Sequence, residues 1–429
     1  MHKIIIEGNN KLNGKIKISG SKNSAVALVP AAVLCDEEVT IANIPNISDI
    51  DALDEMLKFL GAKVDRKGDL IKINSSSVEN KLIPEKIAKK LRASYYFMGA
   101  LLSRFKKVEM YFPGGCSIGA RPINLHLKGF EALGAKVEEK DNLFLISADK
   151  LVGTKINLDF ASVGATINLM LAAVKAEGTT VITNAAKEPH IVNVATFLNN
   201  MGAKISGAGT SEIKIIGVDY LHSCFHEVVP DYIETGTYMI LASVIGEDIT
   251  IENIIPDHVE SLISKLEEVG VPMEIGVDSI RIKAPSVLKS TNIKTQVYPG
   301  FPTDLQQPMA TLLTQTKGKS IINETIWENR FLNLKELNKM GATTETLTNS
   351  KAVIVGPTKL KGKVVKATDL RAGASLVIAG LIADGTTTIK NADYILRGYE
   401  GIVEKLTNVG AKIKLEVEKE WWKQKNWTK

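Results

Sequence analysis

A chain of 429 residues, 45% hydrophobic and 24% charged, is long for a single core and points to two domains of roughly 200 residues each. Its net charge of +5 comes from scattered basic residues, which does not call for nucleic acid and suits small anionic substrates equally well. Three cysteines cannot form an even disulfide framework, and no stretch has the dimensions of a signal peptide or a membrane span, so a cytoplasmic protein without an integral membrane segment is expected.

The N-terminal segments KIIIEG and KIKISG read as strands and precede any helix start. They are expected to return and complete the last, distant part of the fold. The next stretch, VTIANIPNISDIDALDEMLKFLGAKV, is the first copy of a unit that recurs. Val39 and Ile41 alternate with polar neighbours as in a half-buried strand. Ser48 opens an S-x-x-D pattern resembling a capping box, and Ile50, Leu53, Leu57 and Leu60 form one apolar helical stripe. Gly61 stops that helix, because glycine takes the left-handed conformation cheaply. Equivalent marks follow at Gly134, Gly202, Gly270, Gly341 and Gly410, about 70 residues apart, the signature of a repeat.

Each copy carries a second helix with a polar start and a small, apolar body. The starts read GSKNSAVALVPAAVL, LRASYYFMGALL, SVGATINLMLAAV, DYIETGTYMILASV, TDLQQPMATLL and LRAGASLVIAGLI. Such helices should be buried, with N-terminal N–H groups available to anions. Ser162 and Thr303 could equally be ordinary caps. The copies divide three and three, giving one domain over 22–229 and a second over 1–21 plus 230–429, with a ligand cleft expected between them.

Chemistry-bearing residues sit on the same map. Pro113, Gly114, Gly115 and Gly119 deny regular structure to YFPGGCSIGARPI, and its Cys116, with Arg121 nearby, has the setting of a reactive thiol. Cys35 in PAAVLCDE reads as core. Cys224 with His222 and His226 gives an alternation that a metal site or a half-buried strand would share. Lys22, Arg92, Arg121, Arg330, Arg371 and Arg397 lie at helix starts or in loops and can hold carboxylate or phosphate. Asp304 opens an otherwise uncharged helix, either as a cap or as a general base facing a substrate hydroxyl. No P-loop and no dinucleotide fingerprint is present, so phosphates must be held by side chains and helix ends.

With these motifs in order, SGSKNSA, RASYYFMG, PGGCSIGARPINLHL, SVGATINLMLAA, PDYIETGT, GFPTDLQQP, ENRF, DLRAGASL and RGYE, the chain from Gly8 to Lys412 resembles the UDP-N-acetylglucosamine 1-carboxyvinyltransferase family, enolpyruvyl transferases that open peptidoglycan synthesis. The resemblance implies an α/β fold, a two-domain inside-out α/β barrel of six repeats arranged three plus three. It implies two substrates, phosphoenolpyruvate and UDP-N-acetylglucosamine, with no metal or cofactor, in a monomer. Lys22, Arg121 and Arg397 would hold phosphoenolpyruvate with Arg371 close by, and Asn23 would orient the sugar. Arg92, Arg121, Pro122, Ile123, Asn124, Leu125, Ser162, Val163, Gly164, Asp304, Ile326 and Arg330 would form the sugar-nucleotide side. Asp304 would take the 3′-hydroxyl proton, and Cys116 would act as acid and form a covalent adduct. That thiol is also the expected target of the epoxide fosfomycin.

Two departures stand out. Tyr232 occupies a place where many members carry Arg, and Phe160 one where some carry Lys. The tail with Trp421, Trp422 and Trp427 is unlike the usual ending and is expected to dock loosely. Three other readings remain. A 5-enolpyruvylshikimate-3-phosphate synthase shares the donor, but its relatives lack the cysteine of the PGGC loop. An RNA 3′-phosphate cyclase needs a histidine nucleophile, and His126, His190 and His258 have no convincing setting for one. A non-catalytic paralogue would bind the sugar nucleotide only.

Overall fold

The computed structural model describes residues 1–112 and 123–417. Cys116, Arg121 and Pro122, with the rest of 113–122, and the tryptophans of the tail lie outside the described residues. The fold is mixed α/β. Contacts divide the chain into two compact units: Met1–Ile18 with Tyr232–Gln296 and Gly300–Lys429, and Ser19–Asp231 with Val297–Pro299.

Each unit carries three sheets among the described residues. In the first unit the N-terminal segments close two of them. His2–Glu7 lies antiparallel between Thr386–Lys390 and Lys412–Val417, with Lys3 opposite Lys390 and His2 opposite Val417. Leu12–Lys17 runs parallel to Gly246–Glu252. The start of the chain thus completes a sheet formed nearly 400 residues later, as its alternating isoleucines require: Ile4 and Ile6 are fully buried and would otherwise face water. In the second unit Phe225–Glu227 plays the matching part, parallel to Glu38–Ala42.

Two kinds of helix pack on these sheets. Ser48–Leu60 is amphipathic and buries Ile50, Leu53, Leu57 and Leu60, each such side chain contributing about 1.5–3 kcal/mol. Lys22–Ala31 is apolar on every side and is buried from Ser24 onward, as are the bodies of Val163–Ala173, Tyr232–Ile245, Gln306–Leu313 and Leu370–Ile382. A helix without a polar face can only sit inside. All six marked glycines have positive φ, between 92° and 103°, and Gly61 and Gly270 are left-handed helix C-caps.

One local expectation fails. Ser48 is not a cap: the helix begins at Ser48 itself, the preceding Ile47 makes no side-chain cap bond, and Asp51 instead accepts from Arg66 Nη1 at 2.7 Å. Cys35 is in the core, where burial pushes its thiol up. His226 is also buried, its ring nitrogens 3.0 and 3.1 Å from the amide nitrogens of Asn193 and Asn200, and no group of metal-ligating side chains gathers among the described residues. No helix among them is long and apolar enough to cross a membrane.

Candidate active site

The expected site residues fall into two groups, one in each unit. In the unit spanning Ser19–Asp231, Lys22 opens the first buried helix. Its ammonium pairs with Asp49 Oδ2 at 3.0 Å, and both side chains are largely buried. Its backbone N–H donates to Asp231 Oδ2 at 2.9 Å, while Ser21 Oγ accepts from Ser24 N–H. Asn23 follows, half-buried. Donors of this first turn are thus met in part by protein acceptors. The same holds where Ser162 Oγ accepts from Ala165 N–H at 3.3 Å and where Asp369 Oδ1 accepts from Arg371 and Ala372 N–H at 2.9 Å each. Donors at these three helix starts are thus met in part by local caps.

A second cluster in this unit centres on His126, which follows Leu125, feels the charge of Arg92 and touches Gly164 at the start of Val163–Ala173 after Ser162. Asn168 Oδ1 accepts from Gly99 N–H at 2.8 Å, which fixes the amide orientation because a backbone N–H can only donate. Asn168 Nδ2 then faces Tyr95 O at 2.9 Å and His126 Nδ1 at 3.0 Å. His126 Nδ1 accepts, so the ring proton is on Nε2. Burial, then the charge of Arg92, lowers this histidine to about 3, and it is neutral at ordinary pH. A Cβ added to Gly164 would lie 2.8 Å from Tyr95 Oη and 3.2 Å from His126 Nε2, so the helix start and the ring touch. Ile123 and Leu125 are buried and Asn124 is exposed at the head of Asn124–Ala132.

In the other unit the Asp304 carboxylate is the hub. Asp304 lies in the short turn Thr303–Leu305, which follows the N-cap Pro302, and the Thr303 hydroxyl is engaged with Glu324 and Arg330 rather than with a helix N–H. Asp304 Oδ1 accepts from Arg330 Nη2 at 2.6 Å and Oδ2 from Arg371 Nη2 at 3.1 Å. Arg371 Nη1 donates to Tyr399 Oη at 3.1 Å, with the guanidinium 5.4 Å from that ring's centre. Thr237 gives its proton to Ile233 O and lies 2.9 Å from Tyr399 Oη, so Tyr399 donates to Thr237 and accepts from Arg371. Arg397 follows the turn Asp393–Leu396 and is half-buried. Ile326 donates its N–H to Glu324 Oε1 at 2.9 Å.

Residue types at helix starts pointed to Asp304 and the arginines. They did not point to Asp49, Asp231, His126, Asn168, Glu324 or Tyr399, whose side-chain partners lie mostly far off in sequence, and Thr303 entered only as a possible cap. Of these, the NLHL run after Ile123 carried the plainest signal, a histidine beside the expected sugar-nucleotide segment. Tyr232 begins Tyr232–Ile245 and is buried, whereas Phe160 is exposed.

Residues 6–406 match the EPSP synthase (3-phosphoshikimate 1-carboxyvinyltransferase) family. UDP-N-acetylglucosamine 1-carboxyvinyltransferase 2 of Listeria monocytogenes is 53% identical over 96% of this chain and 97% of its own length. The protein of the same name from Bacillus anthracis is 52% identical over 96% of each. The crystal structure of the enolpyruvyl transferase NikO from Streptomyces tendae matches with a TM-score of 0.88 at 26% identity, over 97% of this chain and 99% of that one. EPSP synthase from Acinetobacter baumannii shares the fold, with a TM-score of 0.72 at 18% identity, over 97% of this chain and 100% of its own. The architecture is that of the enolpyruvyl transferases. Within the EPSP synthase family, the chain belongs to the UDP-N-acetylglucosamine 1-carboxyvinyltransferases.

Proposed function

We propose that the chain transfers the carboxyvinyl group of phosphoenolpyruvate to the 3′-hydroxyl of UDP-N-acetylglucosamine and releases phosphate, the first committed step of peptidoglycan synthesis. The observation that carries this reading is the Asp304 carboxylate held between Arg330 and Arg371 in a chain of this family. A carboxylate fixed in orientation is suited to accept the proton of a hydroxyl nucleophile.

The reaction is an addition followed by an elimination. C3 of phosphoenolpyruvate gains a proton, and the sugar oxygen attacks C2 as Asp304 takes its proton. Phosphate then leaves, and loss of a C3 proton restores the double bond. Cys116 supplies the acid toward C3, forms the covalent adduct with phosphoenolpyruvate and assists product release. Lys22, Arg121 and Arg397 hold the phosphate and carboxylate of the donor, with Arg371 beside them. Fixed cations there stabilise the charge that builds on the departing phosphate. Asn23 orients the sugar. Arg92, Arg121, Pro122, Ile123, Asn124, Leu125, Ser162, Val163, Gly164, Ile326 and Arg330 hold the sugar nucleotide, and His126 Nε2–H beside Gly164 adds a neutral donor to that group.

The same reading extends to the architecture. Six sheets among the described residues, the six marked glycines with positive φ and two compact units support six repeats arranged three plus three as inside-out barrels. The two compact units likewise support domains near 22–229 and 1–21 plus 230–429. A monomer in the cytoplasm, needing no cofactor, completes the reading, and the odd cysteine count supports that location. Incubation with both substrates, followed by mass analysis of the sugar nucleotide, tests the function. One added carboxyvinyl group is expected. Modification of shikimate 3-phosphate, with the UDP-sugar untouched, would overturn the reading.

A further inference from the structure

Glu324 is a carboxylate buried to within 2% of complete exclusion, at the end of the strand Thr316–Asn323. Four donors converge on it. Its Oε1 accepts from Thr295 Oγ1 at 2.8 Å and from the backbone N–H groups of Ile326 and Trp327 at 2.9 and 3.1 Å. Its Oε2 accepts from Thr303 Oγ1 at 2.9 Å. Thr303 Oγ1 in turn accepts from Arg330 Nη1 at 2.7 Å, and Arg330 Nη2 holds Asp304. A carboxylate can only accept, so the hydroxyl proton of Thr303 must point to Glu324, leaving a lone pair for the guanidinium. The direction of every bond in the line is thereby fixed.

We infer that Glu324 is the positioning residue of this site: through Thr303 and Arg330 it sets the orientation of the Asp304 carboxylate, and through two backbone amides it sets the Ile326 loop. The inference rests on the carboxyvinyl-transfer reading, in which Asp304 meets the acceptor hydroxyl and Ile326 the sugar nucleotide. The two arms separate chemically. In Glu324→Gln the side-chain oxygen must stay with the amides of Ile326 and Trp327, which cannot accept. The side-chain NH2 group then faces Thr303 Oγ1, which meets two donors, and its own proton loses its acceptor. The Ile326 loop keeps its anchor while the line to Asp304 is broken. Burying such a mismatch is unfavourable, and the turn at Thr303 or the Arg330 fork must shift.

The test is steady-state phosphate release with both substrates, run on the wild-type chain, Glu324→Gln, Thr303→Val, Thr303→Ser and the double variant Glu324→Gln/Thr303→Val. Expected for Glu324→Gln is a kcat lower by about 10–100-fold with KM for UDP-N-acetylglucosamine within about twofold. Thr303→Val should reproduce that split, Thr303→Ser should restore most of the turnover, and the double variant should be no worse than the poorer single one, because both break one line. Unchanged kcat in Glu324→Gln, or losses that multiply in the double variant, overturns the inference. Should Glu324→Gln melt early, the threonine pair decides: equal turnover in the valine and serine variants overturns it. Absence of two-substrate turnover in the wild type would instead defeat the underlying reading.

Discussion

Arg330 Nη2 lies 2.6 Å from Asp304 Oδ1, and the same guanidinium reaches Thr303 Oγ1 through its other terminal nitrogen at 2.7 Å. One planar fork therefore holds both neighbours in the turn Thr303–Leu305, while Arg371 takes the far carboxylate oxygen. A lysine would offer its donors from one nitrogen, without the fixed spacing of this fork.

If Asp304 is the general base, removing its carboxylate removes the proton acceptor without removing the binding surface. Asp304→Ala is expected to lower turnover by about 10²–10⁴-fold, with UDP-N-acetylglucosamine binding still measurable by calorimetry. Near-normal turnover would demote Asp304 to a structural anchor for the two arginines.

Cys116 carries a separate prediction. Cys116→Ser should abolish covalent labelling by fosfomycin, because the serine hydroxyl is not ionised as a thiol can be. Intact-mass analysis after incubation reads this directly. Continued labelling would mean that the nucleophile is another residue.

The ring of His126 makes a prediction in pH. Its value is about 3 in the folded chain against 6.5 for the free side chain. Between these values the unfolded chain holds a proton that the native one lacks, so stability rises with pH through this window. The contribution is complete above about 6.5 and lost as pH falls toward 3, with a slope of about 1.4 kcal/mol per pH unit. His126→Asn should flatten the dependence of urea-unfolding stability on pH by about one proton over that range. An unchanged slope would show that the ring is not held neutral.

Gly164 meets Tyr95 and His126 with no room for a methyl group. Gly164→Ala should push those rings away at a cost of about 1–3 kcal/mol and weaken UDP-N-acetylglucosamine binding by roughly tenfold or more. Wild-type affinity, measured by titration calorimetry, would remove the start of Val163–Ala173 from the sugar-nucleotide surface.

Helices and their stops were readable locally. The stripe from Ile50 to Leu60 and the left-handed Gly61 depend on near neighbours alone, as do the apolar bodies of Lys22–Ala31 and Leu370–Ile382. Ser48 misled because a capping pattern says nothing of the chain's entry angle, and the extended residue there is Ile47. The role of Asp304 was legible only in outline: its arginines lie 26 and 67 residues away, a pairing that folding makes and local pattern does not encode. Glu324 was silent for the same reason. In sequence it is one carboxylate among 48 acidic residues, and only burial beside Thr295, Thr303 and two loop amides makes it distinctive.

The central claim is tested most directly by phosphate release from the purified chain with each substrate alone and with both together. Phosphate should appear only when phosphoenolpyruvate and UDP-N-acetylglucosamine are both present, in step with consumption of the sugar nucleotide. Release from phosphoenolpyruvate alone, or none with the pair, would contradict the account.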